Sequence, residues 1–595
     1  MRSAPTSVAS GSSRRAATQR TTATVLFTAA VGLVMFLLGL SFSNLFHRLS
    51  SMNIRQPSHP SPNGYASQRD FEQQQQQRPT ASDPSVSATT TSTNNAVVVG
   101  SNVIIGDDKM TASATACEAT VKEQYLSYFR FAQQGKDLRA THGSLRIAAF
   151  SRLWVPPIHG TGGMQFHALH LYSQLAARGH YVHVFVSGPP HGQLKKLFLR
   201  VNPDTLHTED EPDHSKASLV VEQVASDKNA EYSETWYHNC LTVFKVVNQS
   251  IGGFHVAHSE SWAGVPNIYQ IGLQMLVTWH GSMLDWFRNE MNLIVHNFRM
   301  KGKMTGTGTA NRMSALGSSV AFETYMLLAV PHHIVISDSA AKDLREMNLI
   351  DPEKVHLIYN GVNPQNFKPA EDREALRRTF LAEHHVDPNH FIVGCGGRLD
   401  GIKGHHQLSQ AMRLLMAKYT NVTLLVAGSG SEATHYEAML HENFKVVMLG
   451  MLPQTALAQF YQSLDVFVDP FYQHHGLNTV MLEATLSGVP IVATRLASAE
   501  TTAPCEQFGR TFSLGHVQDL SNQVEYFLRH PAERLRVGRN VRDRATHLFS
   551  SSIMAGSYES LLYQAALHPK PLLPITGKVV CRHTYPAMCY REPKE

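Results

Sequence analysis

Residues 391–404, FIVGCGGRLDGIKG, decide the fold that the sequence predicts. The first seven residues are apolar or glycine, as in a strand that is buried on both faces of a sheet. A loop with Arg398 and Lys403 follows, and residues 405–419 then have the apolar spacing of an amphipathic helix. Strands that alternate with helices in this way are typical of a doubly wound α/β domain. Further apolar runs come at 422–428, 445–450, 466–470 and 490–494.

The same alternation occurs in the preceding part of the chain. Residues 145–151, LRIAAFS, predict a buried strand, and a glycine-rich turn and a helix at 164–178 follow it. We therefore expect two Rossmann-like domains that face a cleft, with ligands at the carboxyl ends of the strands. Further strands of the first domain are predicted at 181–187, 274–280, 332–338 and 355–360.

Composition limits the class of protein. The chain has 595 residues, of which 43% are hydrophobic and 17% charged, so it can bury a sizeable core and is not wholly disordered. Six cysteines exclude a disulfide scaffold. A net charge of +5, dispersed along the chain, does not indicate nucleic-acid binding. The 33 histidines include no HExxH motif, so no zinc site is predicted.

One apolar run near the N-terminus predicts how the chain is oriented in a membrane. Residues 23–46 carry no charge and are long enough to span a membrane as a helix, whereas a cleaved signal peptide, the alternative, has a shorter apolar region. Four arginines precede the run, so residues 1–22 are predicted to be a cytoplasmic tail and the remaining bulk to be lumenal. Residues 47–143 are predicted to be a mostly disordered stem, because they are rich in polar residues and proline, with a short helix at 118–134.

A lumenal position permits disulfides and N-linked glycans. Cys581 and Cys589 can pair with each other or with Cys117 or Cys505, and the sequence leaves the pairing open. Cys395 lies inside a predicted strand and is expected to be a thiol in the core. The chain also has two N-glycosylation sequons, which begin at Asn248 and Asn421.

Candidate phosphate-binding residues follow two of the predicted strands. Gly162 and Gly163 open a helix, where glycine lets backbone amides approach a phosphate, although an ordinary tight turn also explains them. Arg398 and Lys403 follow the first strand of the second half, where two cations could clamp a diphosphate. Surface charges that face solvent are the alternative interpretation of this pair.

Two further candidates lie at strand ends. His280 ends the strand at 274–280, where a polar side chain is well placed to contact a ligand, although a structural histidine is the alternative. Glu483 lies one turn into a helix that follows the strand at 466–470, and it could accept hydrogen bonds from ribose hydroxyls or face solvent. The loop before this helix can offer backbone amides to phosphate or sugar oxygens at His475, Gly476, Leu477, Asn478 and Thr479.

Taken together, these motifs resemble the retaining nucleotide-sugar glycosyltransferases of the GT-B fold, the family-four or group 1 glycosyltransferases. Their form is similar to that of the plant membrane members of the family. The resemblance runs from about residue 145 to residue 567 and covers most of the folded body. The motifs that match in order are GGMQFHALHLYSQLAARGHYVHVF (162–185), VTWHG (277–281), ISDSAAKDL (336–344), LIYNGVN (357–363), CGGRLDGIKG (395–404), HHGLNTVMLEATLSGVPIVAT (474–494) and FSSSIMAGSYESLLYQ (549–564).

The resemblance implies a separate binding role for each domain. Residues 144–368 would form the acceptor-side domain, and residues 369–550 would bind the nucleotide sugar. Residues 551–595 would be a terminal helix that crosses back over the domains, followed by a tail that contains cysteine. An α/β protein of GT-B architecture, preceded by one transmembrane helix and a disordered stem, is therefore expected.

The resemblance also assigns roles to the site residues. Arg398 and Lys403 would neutralise the donor diphosphate, and Gly163 would lend its backbone to the phosphates. Glu483 would hold the nucleotide ribose, and His280 would face the transferred sugar and stabilise charge that develops in the reaction. Enzymes of this type use protein cations where others use a metal ion, so no metal and no other cofactor are expected.

One position departs from the family pattern. The family's Glu-x7-Glu segment has His475 in place of its first Glu, and Gly476-Leu477-Asn478 in place of Gly-Phe-Gly. A histidine can hydrogen-bond a sugar hydroxyl but is not an anion, so either the sugar contacts differ or activity is reduced or absent. An active enzyme is expected because the cation pair and His280 are retained. The alternative is a catalytically silent nucleotide- or carbohydrate-binding protein, or a scaffold of a Golgi glycosylation complex.

The expected reaction moves a sugar from a nucleotide donor to a glycan, glycoprotein or glycolipid, with retention of configuration. UDP is expected as the nucleotide, with GDP next. An uncleaved anchor, a stem and a lumenal body together predict a single-pass type II protein of the Golgi membrane, with the endoplasmic reticulum as second choice. The membrane, the donor and the acceptor are thus the expected partners, and nucleic acid is not.

Overall fold

The computed structural model describes residues 107–572, apart from 160–161, 192, 204–205, 228–233, 302–306 and 473–475. The predicted tail, anchor and most of the stem therefore lie outside the described residues, as do His475, Cys581 and Cys589. Within the part of the chain that is described, no helix is both long and apolar enough to cross a membrane.

The first domain is built on a sheet that has nine strands among the described residues. They are β1 (Arg146–Phe150), β2 (Tyr181–Gly188), β3 (Lys196–Val201), β4 (Thr208–Asp210), β5 (Leu219–Ala225), β6 (Val256–Glu260), β7 (Met275–Trp279), β8 (His332–Val335) and β9 (Val355–Leu357). The order is β4-β3-β5-β2-β1-β6-β7-β8-β9, in which β3 is antiparallel to both β4 and β5 and the other neighbouring pairs are parallel. The direction in which successive strands are added to the sheet reverses between β1 and β6. In doubly wound sheets, ligands bind at the carboxyl ends of the strands beside such a reversal.

The second domain holds six parallel strands in the described part of the chain. They are β10 (Phe391–Gly396), β11 (Val422–Ala427), β12 (Val446–Gly450), β13 (Val466–Asp469), β14 (Ile491–Thr494) and β15 (Arg510–Phe512). The order is β12-β11-β10-β13-β14-β15, which reverses between β10 and β13. The predicted α/β class with two doubly wound sheets is therefore confirmed. The sequence did not predict β3, β4, β5, β6 and β15, because strands with interspersed polar or charged residues carry little periodicity.

Helices connect the strands and cover the sheets. The predicted helices at 164–178 and 405–419 are confirmed to within one residue at each end. The helices are α1 (Asp107–His142), α2 (Gly163–Ala177), α3 (Glu234–Ser250), α4 (Ile268–Ile271), α5 (Met283–Lys301), α6 (Thr307–Leu327), α7 (Asp338–Lys342), α8 (Arg373–Glu383), α9 (His405–Lys418), α10 (Thr434–His441), α11 (Gln454–Gln462), α12 (Thr479–Leu486), α13 (Ala497–Thr502), α14 (Val517–Arg529), α15 (Pro531–Leu548) and α16 (Ser551–Leu567).

The helix before the first strand is longer than the predicted one at 118–134, and it belongs to the folded body. α1 packs along α16, whose apolar residues share a core with the first sheet. The two helices approach closely, since a Cβ on Gly556 would lie only 2.7 Å from the Ala132 carbonyl oxygen. Part of the predicted stem is therefore ordered, because α1 buries side chains such as Val121 and Ala132.

The structure resolves part of the cysteine pairing that the sequence left open. Cys117 of α1 forms a disulfide with Cys505, which follows α13 in the second domain. Cys395 is buried and free, as expected of a thiol in the core. The disulfide ties α1 to the second domain, while α16 holds it against the first.

Candidate active site

Lys403 lies at the end of the loop that follows β10. Its ammonium nitrogen is 3.6 Å from the centroid of the Phe471 ring. Gly404 has a φ of +72°, and a side chain there would clash with the Pro470 carbonyl oxygen, so this turn brings Lys403 against the loop after β13. The cation therefore stands where strand addition reverses, at the carboxyl ends of β10 and β13.

A buried acid, Asp469, lies near enough to Lys403 to influence its charge. Burial lowers the pKa of Lys403 to about 8, and the Asp469 carboxylate partly offsets this effect. Burial raises the pKa of Asp469 to about 6, against the influence of Lys403 and of a hydrogen bond from Asn478 Nδ2, 3.2 Å from Oδ1. A cation that has lost much of its hydration gains more electrostatic stabilisation from a bound anion than a lysine on the surface does.

Arg398 is more exposed than Lys403. Its side chain is 73% exposed and pairs with Asp400 at 3.3 Å. The backbone is fixed by His405, whose Nδ1 lies 2.7 Å from the Tyr436 hydroxyl and whose Nε2 lies 3.3 Å from the Arg398 carbonyl oxygen. The loop is thus anchored at its base, while the guanidinium reaches solvent near the strand ends.

The loop after β13 meets the first domain. The Leu477 carbonyl accepts a hydrogen bond from Asn360 Nδ2 at 3.3 Å. Gly476 lies so close to the Ile336 side chain, beyond β8, that no larger residue fits. His475 lies outside the described residues, so its role stays a prediction.

The carboxylate of Glu483 lies in the second turn of α12, which begins at Thr479 after Asn478. The Tyr461 hydroxyl donates to Glu483 Oε2 at 2.8 Å. Burial raises the pKa of Glu483 to about 7, and the hydrogen bond from Tyr461 opposes that rise. No described residue donates to the other carboxylate oxygen, which leaves it available to a ligand hydroxyl.

In the first domain, Gly162 and Gly163 lie at the carboxyl end of β1. Gly163 begins α2, and Gly162 precedes it in an extended conformation. A Cβ on Gly163 would meet no atom within 4 Å, so open space borders the start of this helix. The first amides of α2 are therefore accessible to an anion.

His280 follows β7 and is bound to Glu260, the last residue of β6. His280 Nε2 and Glu260 Oε2 are 2.5 Å apart, and the Tyr172 hydroxyl donates to Glu260 Oε1 at 3.0 Å. The His167 ring, on α2, lies with its centroid 4.7 Å from that of His280. The Glu260 side chain is fully buried and that of His280 is 14% exposed. A buried carboxylate thus holds the predicted histidine at the cleft.

Glu260 is the anion of this cluster. Burial alone would raise the pKa of Glu260, but His167 and the hydrogen bond from His280 lower it to about 2. Burial lowers the pKa of His167 to about 3 and that of His258 to about 4. At neutral pH, Glu260 is therefore an anion, and His167 and His258 are uncharged.

The same cluster is the one set of described residues whose side chains suit a metal ion. The ligand atoms of His167, Glu260 and His280 lie within 4.8 Å of one another. Two histidines and a carboxylate can bind divalent transition metals. Here, however, the direct hydrogen bond between His280 and Glu260 already satisfies one atom of each. The expected absence of a metal stays a prediction.

Helix α5, in the segment between His280 and β8, reaches from the first domain to the second. Asn292 Nδ2 donates to the Tyr472 carbonyl oxygen at 2.9 Å, and Arg299 Nη1 donates to that of Leu514 at 2.5 Å. The sequence offered no pattern for this segment. Through these contacts, α5 connects the two domains beside the cleft.

The structure brings the predicted residues together in two groups. Lys403 and Asn478 both lie near Asp469 in the second domain, and Asn478 hydrogen-bonds it. His280 and Gly476, from different domains, line one cavity of about 20 Å³, which is large enough for a single water molecule or hydroxyl group. Glu483 lies on α12, the helix that follows the loop containing Gly476. Gly163 lies on α2, the helix that also carries His167.

Sequence reasoning missed Glu260, Asp469 and His405. Glu260 lies 20 residues before His280, so nothing local joins them. The strand that carries Glu260 is not predicted either, so its adjacency to β7 emerges only from the structure. Asp469 falls within the predicted strand at 466–470, and its position as the last residue of β13, at the ligand-binding edge, was the available signal.

Two family models match successive parts of the chain. The model described as Glycosyltransferase Family 4 matches residues 161–366, and the one described as Glycosyl transferases group 1 matches residues 390–530. These ranges correspond to the first and second domains.

Curated proteins and a solved structure are similar as well. The capsular polysaccharide biosynthesis glycosyltransferase CapM of Staphylococcus aureus is 27% identical over 38% of this chain and 60% of CapM. The MMP alpha-(1->4)-mannosyltransferase of Mycolicibacterium hassiacum is 24% identical over 68% of this chain and 96% of that protein. The fold matches sucrose-phosphate synthase from Thermosynechococcus elongatus with a TM-score of 0.54, at 22% identity, over 71% of this chain and 98% of the synthase. Both domains of the chain are therefore similar to group 1 and family 4 glycosyltransferases, and these matches identify it as a glycosyltransferase.

Proposed function

We propose that this glycosyltransferase takes its sugar from a nucleoside diphosphate donor, UDP-linked in the first instance, and passes it to a glycan, glycoprotein or glycolipid with retention of configuration. The observation that carries the donor is the partly dehydrated Lys403 at the reversal point of the second sheet. A diphosphate would restore the stabilisation that this ammonium group lost on burial. Glu483 offers a carboxylate oxygen to the ribose, and no metal takes part.

We propose further that the protein is a single-pass type II protein with its body in the Golgi lumen. The apolar run at 23–46 supplies the anchor in this proposal. The Cys117–Cys505 disulfide supports it, because disulfides persist in oxidising compartments and are rare in the cytosol. Of the two sequons, Asn421 is exposed, whereas Asn248 Oδ1 accepts a hydrogen bond from the Phe254 amide at 2.6 Å.

A screen of nucleotide sugars for nucleotide release by the full chain tests the donor. We expect release from one donor, with or without a chelator, and about a tenfold loss in Arg398→Ala, because a charge-assisted hydrogen bond contributes about 1.5–3 kcal/mol. Arg413→Ala is the matched control, since Arg413 pairs with Glu442 on the surface of the same domain. The anomer of the product, read by NMR, tests retention.

Other outcomes of the screen would contradict the proposal. Nucleotide that binds without release from any donor favours the silent binder, and His475→Glu would then test whether the departure from the family motif abolished activity. Loss of release on chelation would contradict a metal-free site. An inverted product would contradict retention alone.

The buried Lys403 predicts a pH dependence of nucleotide binding. The pKa of Lys403 is about 8, so its charge is present below that pH and is lost as the pH rises through it. We expect the affinity for UDP to fall by up to about tenfold between about pH 7 and pH 9. In Lys403→Arg, the guanidinium stays charged over this range, so calorimetry should find a flatter profile. An equally steep profile in both proteins would assign the effect to another group.

A further inference from the structure

We propose that the second domain binds a small phosphorylated molecule, of the size of a sugar phosphate, in a cavity on the opposite edge of its sheet from Lys403. The cavity has a volume of about 540 Å³, which is within the range of ligand pockets. Helices α8 and α15 line it, together with the loops that precede β13 and β14. This second site is independent of the proposed donor.

The sheet topology separates the cavity from the donor edge. Asp465 and Pro490, which line the cavity, directly precede β13 and β14, and Pro388 lies shortly before β10. These strands are parallel, so their amino ends share one edge of the sheet and their carboxyl ends share the other. Lys403 follows the carboxyl end of β10. A ligand in the cavity would therefore leave Lys403 free for a nucleotide sugar.

Arginines dominate the charge of the cavity. Five arginines and two acids line it, which gives a formal charge of +3. The arginines are Arg373 and Arg377 of α8 and Arg534, Arg539 and Arg542 of α15. Asp465 pairs with Arg377 at 2.9 Å and with Arg534 at 3.2 Å. Glu374 pairs at 3.9 Å with Arg378, which does not line the cavity. Three of the arginines are thus left without an ion pair among the described residues.

Arg373 has a structural role as well as a charge. Its Nε donates to the Gln462 carbonyl oxygen at 2.8 Å and its Nη2 to that of Leu464 at 2.7 Å, at the end of α11, where helix carbonyls lack partners. Burial lowers the pKa of Arg373, Asp465 opposes this effect, and the neighbouring arginines add to it. Arg373 therefore makes the cavity more positive, but two of its nitrogens are already used.

Arg542 and Arg539 differ from it, because most of their donors remain available. Arg542 Nη1 donates to the carbonyl oxygens of Phe367 and Leu486, whereas no described residue accepts from its Nε or Nη2. Burial lowers the pKa of Arg542, and no carboxylate of a described residue opposes that effect. Arg539 is exposed and has no hydrogen bond or ion pair with a described residue. The two lie three residues apart on α15, so one anion can accept from both.

The uncharged part of the lining indicates an organic ligand. Leu464, Leu535 and three prolines line the cavity beside the arginines. A Cβ on Gly538 would lie only 2.5 Å from the Gly488 carbonyl oxygen, so α15 packs directly on the loop before β14 and fixes this wall. Apolar walls can pack on the carbon skeleton of a sugar while guanidinium groups bind its phosphate, whose geometry they match. A sugar phosphate is therefore the class of ligand that fits.

Calorimetry of the full chain tests the site with three phosphate probes, which are inorganic phosphate, pyrophosphate and glucose 6-phosphate. We expect saturable binding of glucose 6-phosphate and none of glucose, which lacks the phosphate. Arg539→Ala should weaken binding by about tenfold, because it removes one charge-assisted contact. Arg536→Ala is the matched control, since Arg536 lies on the same helix, outside the cavity, and pairs with Glu533 at 2.5 Å. Absence of saturable binding with all three phosphate probes would overturn the proposal.

Two further variants locate the bound probe. Lys403→Ala should keep the affinity for glucose 6-phosphate, and Arg542→Gln should lower it by about tenfold. Binding that is lost in Lys403→Ala and kept in Arg539→Ala would place the probe at the donor edge and overturn the second site. Should Arg542→Gln fail to fold, Arg539→Ala carries the test by itself. None of these measurements needs turnover, so they stand whether or not the proposed donor is correct.

The phosphate group can belong to a free molecule or to a lipid headgroup. The cavity favours a free molecule, because it lies between two helices and has room for a whole sugar phosphate. Vesicles of phosphatidylcholine that contain phosphatidic acid distinguish the two sources, and we expect no binding to them that depends on Arg539. Binding to these vesicles that Arg539→Ala abolishes, without binding of the free probes, would overturn the soluble ligand.

Discussion

Lys403→Ala is expected to lower kcat/KM for the nucleotide sugar by about 10²–10³-fold, the loss seen when one preorganised donor to a developing anion is removed. Lys403 is the cation that the fold holds most firmly at the donor edge, against Phe471 and beside Asp469. Without it, the diphosphate loses this buried cation, and the pKa of Asp469 should rise further because Lys403 no longer lowers it. Steady-state nucleotide release measures the effect.

The control for this prediction is Lys418→Ala. Lys418 lies at the end of α9, which begins just after Lys403, and pairs with Glu525 at 3.1 Å on the surface. Its removal should leave kcat/KM unchanged. A Lys403→Ala variant that keeps its native melting temperature and full kcat/KM would show that the diphosphate is neutralised elsewhere, and Arg398 would be the first candidate.

Glu559→Ala is expected to lower the free energy of unfolding by about 3–5 kcal/mol, the usual cost of breaking a buried ion pair on one side. The Glu559 side chain is fully buried on α16. It accepts from Arg178 at 2.8 Å, lies 2.9 Å from His180 Nε2 and 3.2 Å from Arg139 of α1. Its loss leaves the two guanidinium groups without their shared anion. Chemical denaturation measures the change.

The stabilisation by Glu559 should also depend on pH. Burial acts to raise the pKa of Glu559, but His180, Arg178 and Arg139 outweigh it and hold the pKa below its ordinary value. The contribution is therefore present above the ordinary carboxyl pKa and is lost as the pH falls through the lowered one. Denaturation curves of wild type and variant should converge in acid.

Glu525→Ala is the matched control for stability. Glu525 pairs with Lys418, half of whose side chain is exposed, and accepts a hydrogen bond from the Tyr419 hydroxyl at 2.8 Å, so its loss should cost about 1–2 kcal/mol. Equal losses in Glu525→Ala and Glu559→Ala would mean that the contact between α1 and α16 does not depend on the buried carboxylate.

Much of the fold and part of the site could be predicted from the sequence. The buried strands of the second sheet are continuous apolar runs, and the loop that carries Lys403 follows one of them. His280 comes directly after such a run in the first sheet. Hydrophobic periodicity is local, so these elements could be located from neighbouring residues alone. The predictions failed for β3 and β4, which are short and carry charges, and for the length of α1, whose stability comes from packing on α16.

The sequence by itself determined the class of fold, the order of the two domains and the positions of the cations at the strand ends, because each depends on patterns within a few turns of chain. Only the tertiary structure decided the partners of those residues. Glu260 contacts His280 because β6 and β7 are neighbours, and Lys403 lies near Asp469 because β10 and β13 are neighbours. The environment that sets the charge on these groups comes from burial and from side chains remote in sequence, so no local pattern contains it.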